Sequence, residues 1–337
     1  MPVRIAINGF GRTGRALLRA ARRPELDLQV VAVNDLAPAE ALARLLSRDS
    51  VYGRYDVPVT VVDGAMVVGG TRIRMLAEPE AKALPWGELG VDAVVECTGR
   101  YTSRDRAAVH LDAGAARVVV SAPCKNADAT LVMGVNDHSF DPARHVVVSN
   151  ASCTTNCLAV MAKVLDEAFV LEDGFVSTVH AYTGDQRLVD AVHRDPRRSR
   201  AAAINIVPTS TGAARTTGVV LPGLEGRLDA LALRVPVADG SITDLVANVG
   251  VDVSAEDVNA VFHERARHGS LVGRLEYSEE PLVSSDIIGS SASCVFDAPL
   301  TMARGRLVKV MGWYDNEWGY ANRLAELAAL VGGARRP

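Results

Sequence analysis

The turn Asn8-Gly9-Phe10-Gly11-Arg12-Thr13-Gly14 constrains this chain more than any other stretch. The β-branched run Val3-Arg4-Ile5-Ala6-Ile7 precedes it, and Ala16, Leu17, Leu18 and Ala21 follow with helical periodicity, so a strand hands over to a helix across three glycines. Gly9 permits the tight turn, Gly11 lets backbone approach a pyrophosphate, and Gly14 lets helix pack on strand, with the helix N-terminus facing the phosphates. A second apolar strand, Val30-Val31-Ala32-Val33, ends in Asn34-Asp35, the place of an acidic residue that holds a ribose. A carboxylate at Asp35 repels a ribose 2′-phosphate, which favours NAD over NADP as cofactor.

The pattern then repeats. A hairpin is predicted across Asp63-Gly64, with a strand near Arg72–Met75. Asp92–Cys97 reads as a buried strand opening onto Thr98-Gly99, Ser103–Asp112 as a helix stopped by Gly114, and Arg117–Pro123 as a strand carrying Ser121. Strands alternating with helices predict an α/β Rossmann-type doubly wound parallel sheet, in which ligands sit beyond the carboxyl ends of the strands, where Gly9, Asp35, Thr98 and Ser121 fall. Beyond residue 152 the strands lengthen, at Phe175–Ala181, Leu228–Val235, Ile242–Val249 and Leu307–Trp313, which predicts an α+β domain with a mainly antiparallel sheet. Thr183–Val207 between them has little periodicity, and loops that long in a compact domain are usually functional or disordered. The division expected is 1–152, a dinucleotide-binding domain; 153–317, a catalytic domain; and 318–337, a C-terminal helix packing back on the first.

The boundary falls on Ser149-Asn-Ala-Ser-Cys153-Thr-Thr-Asn-Cys157, where an apolar strand ends and a helical pattern on Met161, Val164 and Leu165 begins. Free donors and the macrodipole at a helix N-terminus bias a thiol at Cys153 toward thiolate, the nucleophilic form. Five cysteines without a small disulfide framework suit a reducing compartment, and no zinc-ligand spacing appears, so no metal is expected. A formal charge of −4 gives no electrostatic case for nucleic acid or an anionic membrane. The one compact basic cluster, Arg197-Arg198-Ser199-Arg200, reads as an anion or subunit contact. With no apolar run of membrane-spanning length and no signal-peptide pattern, a cytoplasmic protein is expected.

Several ordered strings carry a family resemblance. Asn8–Arg12, Ala151–Cys157, His180-Ala-Tyr-Thr183, Pro208–Ala214, Arg234-Val-Pro236 and Trp313–Tyr320 closely resemble those of phosphorylating glyceraldehyde-3-phosphate dehydrogenases, over nearly the whole chain. The resemblance implies Cys153 as nucleophile and His180 as its base. It implies one anion site at Thr183, Asp185 and Arg234 for the substrate phosphate, and another at Ser152, Thr154, Thr211 and Gly212 for attacking inorganic phosphate. It places Gly9, Phe10, Gly11, Arg12, Thr13, Gly14, Asp35, Thr98, Gly99 and Ser121 around NAD, with Asn316 orienting the nicotinamide carboxamide and Tyr320 near its ring. The implied substrates are glyceraldehyde 3-phosphate and inorganic phosphate, and the implied assembly is a homotetramer.

The chain also departs from the family pattern. Ala191-Val192 stands where NAD-specific members commonly carry Leu-Pro, Gly184 replaces an Asn, Val237 a Thr and Val160 a Pro. These changes leave an erythrose-4-phosphate dehydrogenase or a specialised, inhibitor-resistant paralogue as the alternative reading, although Ala181-Tyr-Thr183 and Pro208–Gly212 favour the triose enzyme.

Overall fold

The computed structural model describes residues 1–334, and residues 335–337 of the expected C-terminal segment lie outside the described residues. The chain divides into two compact units. One holds Met1–Leu131, Ser139–Ala151 and the chain from Ala321 onward; the other holds Val132–His138 and Ser152–Tyr320. Val132–His138 goes with the second because Gly134 is clamped there. Its carbonyl accepts from the Ser270 hydroxyl at 2.6 Å, and its left-handed backbone leaves no room for a Cβ beside Ser270.

In the first unit the strands are β1 (Val3–Asn8), β2 (Leu28–Asn34), β3 (Val59–Val62), β4 (Ala65–Val68), β5 (Thr71–Leu76), β6 (Ala93–Glu96), β7 (Arg117–Val120), β8 (Ala129–Thr130) and β9 (Val147–Ser149). They form one sheet in the order β8-β9-β7-β6-β1-β2-β5-β4-β3. Every pair from β8 across to β5 is parallel, and the β3–β4–β5 meander closes the far edge antiparallel. The predicted hairpin turns at Asp63-Gly64, both with positive φ as a two-residue hairpin turn requires. The helix predicted over Ser103–Asp112 is two short ones, Arg104–Ala107 and Val109–Asp112, ended by Gly114 at φ +96°. β1 lies between β2 and β6, so the chain leaves it in opposite directions, and the crevice beyond Asn8, Asn34 and Glu96 is the switch point of the sheet.

Helix α1 (Arg12–Ala20) follows β1 through the glycine turn and buries Leu17 and Leu18. Gly9 has φ +94°, and a Cβ there would stand 2.7 Å from the Thr98 amide nitrogen. A Cβ on Gly14 would stand 2.3 Å from the Gly9 carbonyl oxygen, whereas around Gly11 there is open space.

The second unit opens with α2 (Cys153–Phe169), N-capped by the Ser152 hydroxyl, which accepts from the Thr155 amide at 3.0 Å. Its sheet contains β10 (Leu171–Ala181), β11 (Val207–Ser210), β12 (Leu228–Val235), β13 (Ser241–Val249), β14 (Leu275–Ser278), β15 (Cys294–Asp297), β16 (Met302–Arg304) and β17 (Leu307–Tyr314). The order is β11-β12-β10-β13-β17-β15-β14, with β16 also on β17. The pairing is mainly antiparallel, but β10 runs parallel to β12 and β14 to β15. Leu158, Met161, Val164 and Leu165 of α2 are buried. The C-terminal helix α3 (Trp318–Gly333) is longer than the periodicity of Asn322–Leu330 predicts, and Gly332 meets Val3 of β1 where a side chain would not fit.

Because overpacking against backbone cannot be relieved by a rotamer change, Gly14→Ala is expected to destabilise the protein by about 1–3 kcal/mol. Thermal unfolding checks this, and an unchanged midpoint would show that the turn yields freely.

Candidate active and cofactor sites

At the carboxyl ends of β1, β2 and β6 the first unit holds a cavity of about 330 Å³, lined by Asn8, Gly9, Gly11, Asp35, Thr98 and Tyr101 among others. Asp35 anchors the turn: its carboxylate accepts from the Phe10 amide at 2.8 Å and the Ala37 amide at 3.0 Å. Arg12 pairs with Asp49 at 3.0 Å and lies over the Tyr52 ring, while Thr13 and Gly14 lie in the first turns of α1. Gly99 has φ +71°, and the Ser121 amide donates to Glu96 at the neighbouring strand end.

Beneath this cavity runs a buried polar network that sequence reasoning missed. Glu96, almost inaccessible, accepts from Asn8 Nδ2 at 2.6 Å, the Thr98 amide at 2.7 Å and the Thr98 hydroxyl. His110 Nε2 lies 3.0 Å from the same carboxylate, and Trp86 Nε1 lies 3.2 Å from His110 Nδ1. Indole nitrogen only donates, so Nδ1 accepts and the imidazole proton is on Nε2, aimed at Glu96. Asn8 Oδ1 takes a further bond from Asn34, which tethers Glu78, so three strand ends are tied side chain to side chain. The available signal was a charged residue closing an otherwise apolar strand.

In the second unit, Cys153 is the first residue of α2, one step past Ser152 and two past Ala151, which holds a left-handed φ of +57° despite its side chain. Its sulfur lies 3.4 Å from His180 Nε2. His180 and Arg234 are register partners across the parallel β10–β12 pair, so their side chains leave the same face of the sheet. Arg234 Nη1 comes within 2.6 Å of His180 Nδ1 and donates to the Ala181 carbonyl at 3.0 Å. Tyr314, opposite Ser241 on β17, stands edge-on to His180, and its hydroxyl contacts Thr178 at 2.8 Å and Thr154 at 3.0 Å.

Arg198, from the predicted basic cluster, reaches Asp185 at 2.5 Å and the Thr209 hydroxyl at 2.8 Å; Asp185 also accepts from the Thr183 hydroxyl. Thr183, Asp185, Arg198 and Arg234 therefore form one charged cluster with His180, since Asp185 and Arg198 both act on the imidazole. Thr211 accepts from the Ala213 amide at 3.2 Å, and Gly212 N-caps the helix Ala213–Val220. The Asn316 carboxamide is fixed by the Ser241 hydroxyl, which donates to its oxygen at 2.6 Å and leaves the NH₂ as the donating end. Tyr320 is buried in the first turn of α3. Among the described residues no cluster of three or more His, Cys, Asp or Glu residues could hold a metal ion.

The electrostatics differ from the thiolate bias expected at Cys153. Burial pushes the thiol up, and the Arg234 charge with the Thr154 donors and the Cys153 amide only partly offsets it. His180 is pushed down to about 3 by burial and by the Arg234 charge, against its contact with the Ala181 carbonyl. For Asp185, burial works to raise the carboxyl, but the Thr183 hydroxyl and the Arg198 and Arg234 charges prevail and hold it below its usual value. Burial thus works on both groups in favour of their neutral forms.

Two stretches of the chain match known families. Residues 3–104 match the NAD binding domain of glyceraldehyde 3-phosphate dehydrogenase, and residues 152–316 match the C-terminal domain of the same enzyme. The chain belongs to the glyceraldehyde 3-phosphate dehydrogenase family. It is 54% identical over 332 residues to glyceraldehyde-3-phosphate dehydrogenase 1 of Streptomyces avermitilis, covering 98% of this chain and 99% of that one. Identity is 56% over 328 residues to the Kitasatospora aureofaciens enzyme, with 97% and 98% covered, and 53% over 332 residues to that of Geobacillus stearothermophilus, with 98% of each covered. The chain is accordingly an oxidoreductase with NAD as its cofactor. The strand-end cavity fits such a group: backbone is open at Gly11, and a Cβ at Gly9 or Gly14 would fill the turn.

A thiol raised by burial gives a testable profile. Alkylation of Cys153 by iodoacetamide in the ligand-free protein should follow an ionisation above the ordinary thiol value of about 8.5, and Arg234→Ala should move it higher still. An inflection well below that value would show that the donors outweigh burial.

Proposed function

We propose that this chain oxidises glyceraldehyde 3-phosphate, with NAD and inorganic phosphate, to 1,3-bisphosphoglycerate through a hemithioacetal and then a thioester on Cys153. The observation that carries the proposal is the 3.4 Å contact between Cys153 Sγ and His180 Nε2, with Arg234 directly across the strand pair. A thiol raised by burial ionises with the help of a local base, and His180 is the group in reach to take its proton. The thiolate adds to the aldehyde carbon, and the developing alkoxide takes donors from the Cys153 amide and the newly protonated His180. His180 then accepts the hemithioacetal hydroxyl proton as the carbon is oxidised. NAD, when bound, supplies the hydride acceptor for that step.

Arg234 and Thr183 would hold the substrate phosphate, with the guanidinium offering a fork that matches phosphate oxygens. Asp185 serves by aligning Thr183 and Arg198, since a carboxylate does not itself attract phosphate. Ser152, Thr154, Thr211 and Gly212 would hold the attacking phosphate. The Thr154 hydroxyl is engaged by Tyr314, so its amide is the donor to hand. Attack of phosphate on the thioester carbon breaks the C–S bond, releases the acyl phosphate and returns the Cys153 thiolate. Asp35 is the residue assigned to the adenosine ribose, Asn316 to the nicotinamide amide, and Tyr320 to the side of its ring.

A cytoplasmic homotetramer is part of the same reading. Phe175, Leu188 and Ile204 are each more than 70% exposed, which is apolar surface that a partner subunit would cover. No helix among the described residues is long and apolar enough to cross a membrane. Light scattering checks the assembly.

Cys153→Ser should abolish oxidation while leaving NAD binding intact, and omission of phosphate should stop steady turnover. Asp35→Ala should raise the relative use of NADP. Catalytic efficiency for glyceraldehyde 3-phosphate should exceed that for erythrose 4-phosphate; the reverse would move the chain to the alternative reading, and phosphate-independent turnover would remove the acyl-phosphate step.

A further inference from the structure

Ser241 opens β13 beside the last residues of β10 and β17, and it is fully buried. Its hydroxyl accepts from the Ala181 amide at 3.1 Å and donates to the Asn316 carboxamide oxygen at 2.6 Å. The two contacts are not interchangeable. A backbone amide can only donate, so it takes a hydroxyl lone pair, and the single hydroxyl hydrogen is left for Asn316. With the Asn316 carboxamide reversed, its NH₂ would meet the hydroxyl oxygen, and the hydroxyl hydrogen would lose its acceptor in a place closed to water. The Ala181 amide therefore decides, through Ser241, which end of the Asn316 side chain is left free.

The backbone around Asn316 is held as firmly. Asp315 accepts from the Gly289 amide at 2.8 Å, the Glu317 amide at 2.9 Å and the Trp318 amide at 2.6 Å, so the turn from β17 into α3 is fixed on both sides of residue 316. Ser241 is also the register partner of Tyr314, two residues earlier. What remains to be settled at Asn316 is the rotation of its terminal amide. Its nitrogen makes no hydrogen bond among the described residues, which leaves an N–H donor without a protein partner.

A nicotinamide ring has two orientations about its glycosidic bond, and they put its carboxamide on opposite sides. A fixed N–H donor seeks the carboxamide oxygen and selects between them; a side chain free to reverse offers donor or acceptor and selects less. Resting on the assignment of Asn316 to the nicotinamide amide above, we propose that Ser241 is a positioning residue that fixes the donating end of Asn316 and thereby holds the nicotinamide ring in one orientation. The hydroxyl takes its reference from the residue after His180, so one side chain keeps the Asn316 donor in register with the strand that carries the base.

The test is transferred-NOE NMR of NAD with the full-length protein, comparing the nicotinamide H2 and H6 signals to H1′ of the attached ribose. Each orientation brings one of these protons near H1′, so their intensity ratio reports the ring without any turnover. One signal should dominate with the wild type. Ser241→Ala should move the ratio about fivefold toward that of free NAD, the effect of one lost hydrogen bond. Asn316→Ala should move it as well, and the double variant no further than Asn316→Ala alone. Weaker NAD binding by Ser241→Ala with an unchanged ratio, while Asn316→Ala shifts it, would overturn the role of Ser241 and leave the Asn316 assignment standing. NAD bound to Asn316→Ala with the wild-type ratio would overturn both. A double variant shifted beyond Asn316→Ala would show that Ser241 acts by another route and would overturn the proposal. If Ser241→Ala does not fold, Ser241→Cys, which keeps the volume with a weaker donor, should shift the ratio in the same direction, and an unchanged ratio there would overturn the proposal.

Discussion

A sulfur and an imidazole 3.4 Å apart, the imidazole buried and the sulfur half-buried, are the contact on which the proposed chemistry of this chain depends. Burial makes each group prefer its neutral form, and an adjacent guanidinium shifts both in the direction of fewer protons. The pair is held by elements that cannot drift independently. Cys153 is fixed by a capped helix start, His180 and Arg234 by register on adjacent parallel strands, and the Tyr314 hydroxyl bonds Thr154 beside the cysteine and Thr178 two residues before the histidine. A chain of backbone hydrogen bonds thus sets a side-chain distance, which is how a rigid sheet provides preorganisation without ligand.

The first unit solves a different problem by similar means. Its parallel strands end in polar residues that would be costly to bury unpaired, and Asn8, Asn34 and Glu96 satisfy one another instead. Glu96 is the node because a carboxylate accepts at both oxygens, which lets one side chain gather donors from β1, the Thr98 turn and His110. The glycine turn then packs onto this fixed floor so closely that two of its three glycines admit no other residue.

Much of this was legible in the sequence, because the deciding signals are local. A strand, a glycine turn and a helix in succession specify one geometry, and Asp63-Gly64 or Gly114 mark turns through their own backbone preferences. The strings that hold Cys153 and His180 are local in the same sense. Long-range consequences were not legible. That β10 pairs parallel with β12 inside a mainly antiparallel sheet, and so puts Arg234 beside His180, depends on topology that alternation of apolar residues does not encode. The partnership of Arg198 with Asp185, and the Glu96–His110–Trp86 network, join residues whose side chains are individually ordinary. The thiolate expectation at Cys153 followed from the helix terminus alone; burial, a tertiary property, reversed its sign.

The most direct measurement is peptide mass spectrometry of the protein quenched in acid after mixing with glyceraldehyde 3-phosphate and NAD in the absence of phosphate. The account predicts a single phosphoglyceroyl thioester on the peptide bearing Cys153, lost when inorganic phosphate is added before quenching. NADH formation with no adduct at Cys153, or with an adduct on another cysteine, would contradict it.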